Sequence, residues 1–155
     1  MTRSTVGWLL VGIQVLLFLV LILLPWRSPT VVLAIVGGAL VVAALLLGLS
    51  AGRSLGRALT PTPVPISGAG LRTDGPYRLV RHPIYSALLL GTLGYLIALG
   101  SGWSWAWGAV ILGFFWGKSR WEDTLLREEY DGEWSEWSAT TGALVPRLHR
   151  RSTTS

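Results

Sequence analysis

The chain has 155 residues, of which 51% are hydrophobic and only 14% are charged, and its mean hydropathy is +0.53. Since soluble domains usually carry about 25% charged residues, this composition favours a membrane protein, and the length predicts a single domain. The chain has no cysteine, which excludes disulfides, cysteine-ligated metals and a cysteine nucleophile.

Two uncharged apolar runs begin the chain and predict two membrane-spanning helices. Residues 6–24 supply about the 20 apolar residues that cross a bilayer. A cleaved signal peptide is the alternative, but the run is longer than the roughly 7–15 residues of a signal h-region and no small-residue cleavage site follows it. Residues 30–51 form the second run, in which Gly37, Gly38 and Gly48 are small enough to let two helices pack closely.

A polar connection and a third apolar stretch follow. In the connection, prolines alternate with other residues over positions 61–65, which disfavours helix and predicts an extended path along the membrane surface. Residues 82–117 are ionisable only at His82 and are too many for one straight crossing of a bilayer. Gly100-Ser101-Gly102 breaks this stretch, so we predict a hairpin of two short crossings, residues 83–99 and 103–117.

The region after the hairpin is charged and aromatic. Apolar residues at helical spacing predict a helix in its first part, and Asp131-Gly132 predicts that this helix is interrupted. Beyond the interruption, Trp134 and Trp137 predict an amphipathic end that lies on the membrane. Residues 149–155 form a basic, polar tail, which we expect to be frayed.

The arginines set the expected orientation. They concentrate in the connection and in the C-terminal region and are absent from the turn at residues 100–102, so the positive-inside rule puts both basic regions and both termini in the cytoplasm. Because the arginines flank apolar segments of membrane length, we expect no nucleic-acid partner despite the net charge of +5. The predicted architecture is an all-α, multi-pass integral membrane protein with about four transmembrane helices and a C-terminal amphipathic helical segment. Its single domain consists of two N-terminal transmembrane helices (1–51), a cytoplasmic connection (52–82), a helical hairpin (83–117), a cytoplasmic helical cap (118–148) and the tail (149–155).

Two polar clusters flank the predicted hairpin. In the first, Gly75-Pro76 is turn chemistry and Pro83 suits the first turn of a helix, with His82 near its N-cap, where free N–H groups can bind a carboxylate or phosphate. The second contains Glu122 and Asp123. Because a hairpin returns the chain to the level at which it left, we expect the clusters to meet at one membrane face, where ionisable groups suggest a functional site. Alternatively, the arginines pair with the acids or with lipid phosphates and only anchor the helices.

Three motifs carry a resemblance to a known family. Gly75-Pro76-Tyr77-Arg78-x-x-Arg81-His82-Pro83-x-Tyr85 resembles the Gly-Pro-Tyr…Arg-His-Pro-x-Tyr motif of the isoprenylcysteine carboxyl methyltransferase family, and related membrane phospholipid methyltransferases look similar in this half. Glu122-Asp123-x-x-Leu126 is similar to the family's Glu-Glu-x-x-Leu. Tyr130-Asp131-Gly132-Glu133-Trp134-x-x-Trp137, followed by Pro146, is similar to its Phe-Gly-x-x-Tyr-x-x-Tyr…Pro ending. The chain departs from the pattern at Asp123, where Glu is usual, and at Trp134 and Trp137, where Tyr is usual.

The resemblance implies an integral membrane methyltransferase that uses S-adenosylmethionine near the cytoplasmic face and takes a lipophilic or amphiphilic substrate from the lipid. The methyl acceptor stays open between the carboxylate of an isoprenylcysteine-like substrate and the amine of a phospholipid. The alternative is a non-catalytic membrane scaffold that binds anionic lipids or a partner protein. We expect no metal site, and the sequence does not predict an oligomeric state. The residues expected to bind the cofactor are Tyr77, Arg78, Arg81, His82, Pro83, Tyr85, Glu122 and Asp123, and the candidate catalytic residues are His82 and Glu122.

Overall fold

The computed structural model describes residues 2–65 and 70–147, and the tail expected at residues 149–155 lies outside them. The described residues contain four α-helices and two short 3₁₀ turns but no β-strand, which confirms the all-α prediction. The helices are α1 (Arg3–Leu23), α2 (Val31–Leu55), α3 (Pro83–Leu99) and α4 (Gly102–Thr140), and the 3₁₀ turns are Gly56–Ala58 and Gly75–Arg78.

Short polar side chains and turn residues define where the helices begin and end. Thr2 and Thr30 cap α1 and α2, since each hydroxyl accepts a hydrogen bond from the backbone N–H three residues further on. α2 ends where Gly56 takes a φ of +52°, which glycine adopts without strain. Pro83 opens α3 with His82 as its N-cap residue, as the sequence predicted.

The first two helices are long and apolar enough to cross a membrane. α1 has 21 residues and α2 has 25, and both expose large apolar side chains along their length, as lipid contact requires. α3 is apolar but shorter, with 17 residues, and α4 becomes charged in its second half. Membrane crossing by each of the four helices stays a prediction.

α2 and α3 approach each other closely through small residues. A Cβ added to Gly37 would lie 2.5 Å from the Gly94 carbonyl oxygen and 2.7 Å from the Ala98 Cβ, so only glycine fits there. The expectation of close packing is therefore confirmed at Gly37, whereas Gly38 on the neighbouring face has open space around it. Around the other side of α3, a buried cluster joins α1, α3 and α4 through Leu17, Leu21, Leu96, Ile111 and Phe115.

α4 continues from the predicted fourth crossing into the predicted cap, and it is interrupted at Asp131 as the sequence predicted. The expected fourth crossing, residues 103–117, and the first part of the expected cap form one continuous helix up to Asp131, because no proline separates them. The interruption predicted at Asp131-Gly132 is a kink: Asp131 takes a φ of 29° and a ψ of −98°, and the helix resumes and ends at Thr140. Up to this kink, the charged part of α4 continues the helix of the apolar part without a break.

The connection between α2 and α3 is less extended than predicted. α2 continues to Leu55, and the chain then makes the two 3₁₀ turns, leaving the proline-alternating part without regular structure. The part of the connection at residues 66–69 lies outside the described residues. Pro61 is exposed and Pro63 is buried, and the proline-alternating part forms part of a cavity described below.

The two ends of the helices carry different groups: turns meet at one end, and polar side chains cluster at the other. At one end, the Arg27 N–H donates to the Leu99 carbonyl at 3.1 Å, so the turn after α1 lies beside the turn after α3. At the other end, the Arg3 guanidinium contacts the Glu128 carboxylate at 2.6 Å. Both polar clusters described in the sequence lie toward this second end.

Candidate active site

The two polar clusters come together where α3 begins, against the middle of α4. His82 Nε2 lies 2.9 Å from Asp123 Oδ1, and His82 Nδ1 lies 3.6 Å from Glu122 Oε2. The Tyr85 hydroxyl donates to Glu122 Oε2 at 2.6 Å. Residues separated by the whole hairpin are therefore in direct contact, which is the arrangement that a shared site requires.

The Asp123 carboxylate forms hydrogen bonds with both Arg81 and His82. Arg81 Nε and Nη2 donate to the two carboxylate oxygens at 3.2 and 2.8 Å, and the His82 ring forms a hydrogen bond with one of the same oxygens. Burial acts to raise the pKa of the Asp123 carboxyl, but the hydrogen bonds from His82 and Arg81 and their charges outweigh burial, so the pKa is lowered. Asp123 is consequently a carboxylate that holds two other side chains in place.

The chain after α4 contacts Arg81 and His82 from the side opposite Asp123. The backbone N–H groups of Arg81 and His82 donate to the carbonyls of Gly142 and Ala143 at 2.8 and 3.0 Å. Arg81 Nη1 donates to the Thr141 carbonyl at 2.6 Å and to Ser138 at 3.3 Å. The guanidinium N–H groups of Arg81 thus donate to groups within the protein, and these hydrogen bonds fix the loop that carries His82.

The His82 tautomer follows from its partners. An ionised Asp123 can only accept, so Nε2 carries the proton and donates to it. In the neutral ring, Nδ1 then keeps a lone pair on the side of Glu122. Tyr85 stacks on the ring with centroids 5.4 Å apart and planes inclined by 12°, which restricts its rotation further.

Glu122 differs from its neighbour because it faces open space. Its side chain is 23% exposed, against 9% for Asp123, since consecutive helical residues point about 100° apart. It borders a cavity of about 300 Å³ enclosed by α1, α4, the start of α3 and the connection. The buried Tyr77 also borders this cavity, and burial together with the negative charges of Glu122 and Asp74 raises the pKa of its phenol, which therefore stays protonated.

The cavity gathers five of the eight sequence-predicted cofactor residues. Those that line it are Tyr77, Arg81, His82, Tyr85 and Glu122. Three others do not: Arg78 is exposed away from it, Pro83 is buried in the first turn of α3, and Asp123 lies behind His82. Asp123 bears on the site through the hydrogen bonds that it accepts from Arg81 and His82.

Several lining residues were not singled out from the sequence. Gln14 of α1 and Lys118 of α4 line the cavity and hydrogen-bond to each other at 2.6 Å. Both carried a signal, since Gln14 is the strongly polar side chain of an otherwise apolar run and Lys118 is the first charge after the hairpin. The prolines of the connection also line the cavity. The sequence predicted only an extended chain there and did not indicate a binding role.

Trp137 shows how the C-terminal motif reaches the site. Its indole N–H donates to the Tyr77 carbonyl at 3.1 Å, and its ring lines the cavity together with Tyr130. The tryptophan thus makes a hydrogen bond of its own where a hydroxyl was expected from the family pattern. Trp134 packs against the guanidinium groups of Arg81 and Arg127, whose carbons lie 5.7 and 6.0 Å from the centre of its ring.

Comparison with known proteins identifies the family to which these motifs belong. The family model described as phospholipid methyltransferase matches residues 32–133, a segment that takes in α2, α3 and most of α4 and includes both polar clusters. No curated protein matches the chain. Because the match covers well over half of the chain and both parts of the site, the chain belongs to the phospholipid methyltransferase family.

Proposed function

We propose that the protein is an integral membrane methyltransferase that uses S-adenosylmethionine and methylates a lipophilic or amphiphilic acceptor. The observation that carries the proposal is the position of Glu122: one carboxylate oxygen contacts Tyr85 and approaches His82, and the side chain faces the cavity that both polar clusters share. Family membership supports the same reaction class and favours a phospholipid-like acceptor.

The chemistry of the lining residues suits S-adenosylmethionine. The Glu122 carboxylate can accept hydrogen bonds from an ammonium group or from ribose hydroxyls. Tyr77, Trp137 and the prolines of the connection offer flat, largely apolar surfaces for a purine ring. The volume of about 300 Å³ lies at the lower end of the range for small-molecule sites.

S-adenosylmethionine, when bound, supplies an electrophilic methyl group on a sulfonium centre. The protein's main task is to align the acceptor with that methyl group and to keep water away, and alignment alone can contribute much of the rate. The helix α4 and the loop bound by Asp123 serve this purpose, because their contacts fix Glu122 and His82 relative to each other.

The role of His82 depends on the acceptor. A carboxylate acceptor is already nucleophilic and needs no base, whereas a protonated amine must first lose a proton. The Nδ1 lone pair can take that proton, and Asp123 keeps the ring oriented and stabilises the positive charge that it gains. His82 is thus a general base for N-methylation and an orienting group for carboxyl O-methylation.

We further propose that all four helices cross the membrane and that the site lies at the cytoplasmic face, with both termini on that side. The turns after α1 and α3 share one end of the helices, so the basic connection and the site occupy the other. The positive-inside rule puts the arginine-rich end in the cytoplasm.

Two measurements test the proposal. Calorimetry with protein in lipid nanodiscs should detect binding of S-adenosylmethionine, and membranes incubated with methyl-labelled cofactor should yield a labelled lipid or lipidated peptide that identifies the acceptor. Absence of cofactor binding by correctly folded protein would favour the alternative of a non-catalytic scaffold.

A further inference from the structure

Lys118 is a buried ammonium group within a largely apolar part of the protein. The residue is 3% exposed, and its Nζ donates to Gln14 Oε1 at 2.6 Å. Among the described residues no carboxylate oxygen lies within 4.0 Å of Nζ. An ammonium has three N–H donors, so among the described residues the contact with Gln14 leaves two donors without a protein partner, and the charge attracts Glu122, one helical turn away, through space without a direct ion pair.

The surroundings stabilise this charge only in part. Nζ lies 5.0 Å from the centre of the Tyr85 ring and 5.9 Å from the centres of Phe114 and Phe115. Such cation–π contacts contribute modestly, whereas removing an ammonium from water without a paired anion is costly. The arrangement becomes favourable if an anionic group of a ligand approaches Nζ from the cavity, which Lys118 lines.

Gln14 adds a second donor at the same point. Because the ammonium can only donate, the Gln14 amide must present its oxygen to Lys118, and its NH₂ group then remains available. Gln14 also lines the cavity, on α1 and therefore opposite α4. An ammonium and an amide NH₂ facing one space form a pair of donors suited to a carboxylate or phosphate oxygen.

The position of this pair relative to Glu122 indicates which ligand it serves. Lys118 precedes Glu122 by one helical turn, toward the apolar half of α4, and Gln14 lies in the middle of the apolar α1. A cation at this point repels a sulfonium but attracts an oxyanion. An acceptor with a lipid tail is expected to enter the cavity from this apolar side, whereas Tyr77 belongs to the connection.

We propose that Lys118 and Gln14 form a subsite for the anionic group of the methyl acceptor, a carboxylate or a phosphodiester. This inference rests on the proposed methyltransferase function and deepens it, because it requires an acceptor that carries negative oxygen near the methylated atom. The carboxylate of the cofactor is a second source of the same chemistry, and the experiment separates the two.

The experiment compares matched ligands in dodecylmaltoside micelles by calorimetry. Dioleoyl phosphatidylethanolamine is compared with uncharged dioleoylglycerol, and N-acetyl-S-farnesylcysteine with its methyl ester. We expect the wild-type protein to bind at least one of the two probes that carry a phosphodiester or a carboxylate about tenfold or more tightly than the counterpart that lacks this anionic group, as a hydrogen bond to a charged group implies. Lys118→Met should abolish this preference, and Lys118→Arg should restore much of it.

Arg127→Met is the matched control, since it removes a positive charge from the exposed part of the same helix outside the cavity. It should leave the preference unchanged. The dissociation constant for S-adenosylmethionine should be the same in wild type and Lys118→Met, while the KM for the acceptor rises more than kcat falls.

Each other outcome has a distinct meaning. If Lys118→Met weakens binding of S-adenosylmethionine and spares the lipid preference, the anion is the cofactor's and the assignment to the acceptor is overturned. If only thermal stability changes, the pair is structural and the inference fails. If wild-type protein binds no S-adenosylmethionine, the methyltransferase proposal fails instead. Should Lys118→Met not fold, Gln14→Leu and the wild-type comparison of charged with uncharged probes decide the matter.

Discussion

At the scale of single residues, two adjacent acids have opposite surroundings. Asp123 is enclosed by Arg81 and His82, whereas Glu122 faces the cavity beside Tyr85. The shorter aspartate suits the inner position, because its carboxylate meets an arginine and a histidine that are already fixed by the backbone. The departure from the family's paired glutamates thus falls on Asp123, which holds Arg81 and His82, and the residue that faces the cavity keeps the usual glutamate.

Replacing Glu122 tests the binding role. We expect Glu122→Gln to fold normally, because the amide oxygen can still accept from Tyr85, but to raise the dissociation constant for S-adenosylmethionine about tenfold or more through loss of a charge-assisted hydrogen bond. Calorimetry measures the change. Glu128→Gln on the exposed part of α4 is the control, and equal affinities for the two variants would remove Glu122 from the cofactor site.

Replacing Asp123 tests its positioning role through pH. The pKa of its carboxyl is lowered in the folded protein, so its contribution to stability is fully present above the ordinary value of 3.8 and is lost as pH falls through the lowered pKa. Asp123→Asn should cost about 3 kcal/mol at neutral pH, because it leaves Arg81 and His82 without their anion. Unfolding by SDS titration should show this difference shrinking below pH 3.8, and a difference independent of pH would contradict the prediction.

At the scale of elements, small residues set the distance between α2 and α3. Gly37 and Gly94 face each other so closely that each would clash with the other's carbonyl if it carried a Cβ. Since His82 is the N-cap residue of α3, the depth at which α2 holds α3 also determines where His82 meets α4. The helix–helix contact therefore matters for the site as well as for stability.

The pair Gly37 and Gly38 tests this packing. Gly37→Ala should destabilise the protein by about 1–3 kcal/mol through overpacking, whereas Gly38→Ala should be neutral or slightly stabilising, because it has open space and alanine favours helix. Thermal unfolding in detergent compares the two variants. Equal melting temperatures would show that α2 and α3 can separate without cost.

At the scale of the whole molecule, charge is distributed unevenly along the helices. The Arg3–Glu128 pair and the basic connection lie toward the end that carries the site, whereas the opposite end is formed by the two turns that meet at Arg27 and Leu99. This asymmetry underlies the proposed orientation, with the site facing the cytoplasm.

The absence of cysteine makes the orientation testable by labelling. Thr73→Cys and Gly102→Cys put single exposed thiols before α3 and at the start of α4. A membrane-impermeant maleimide should label Gly102→Cys in intact cells and Thr73→Cys only in inverted membrane vesicles. Labelling of both positions from the same side would show that α3 does not cross the membrane.

The sequence by itself determined the helical class, the starts of all four helices to within a few residues, and the two motifs that form the site. Apolar run length, proline at the first helical position and turn glycines are local signals, so they can be read without knowing the fold. Only the tertiary structure decided that Asp123 points into the protein whereas Glu122 faces the cavity. It also decided that Arg81 donates its hydrogen bonds to groups within the protein and that Gln14 and Lys118 line the cavity. These features depend on which faces of α1, α3 and α4 meet, and that is set by packing between residues far apart in the chain.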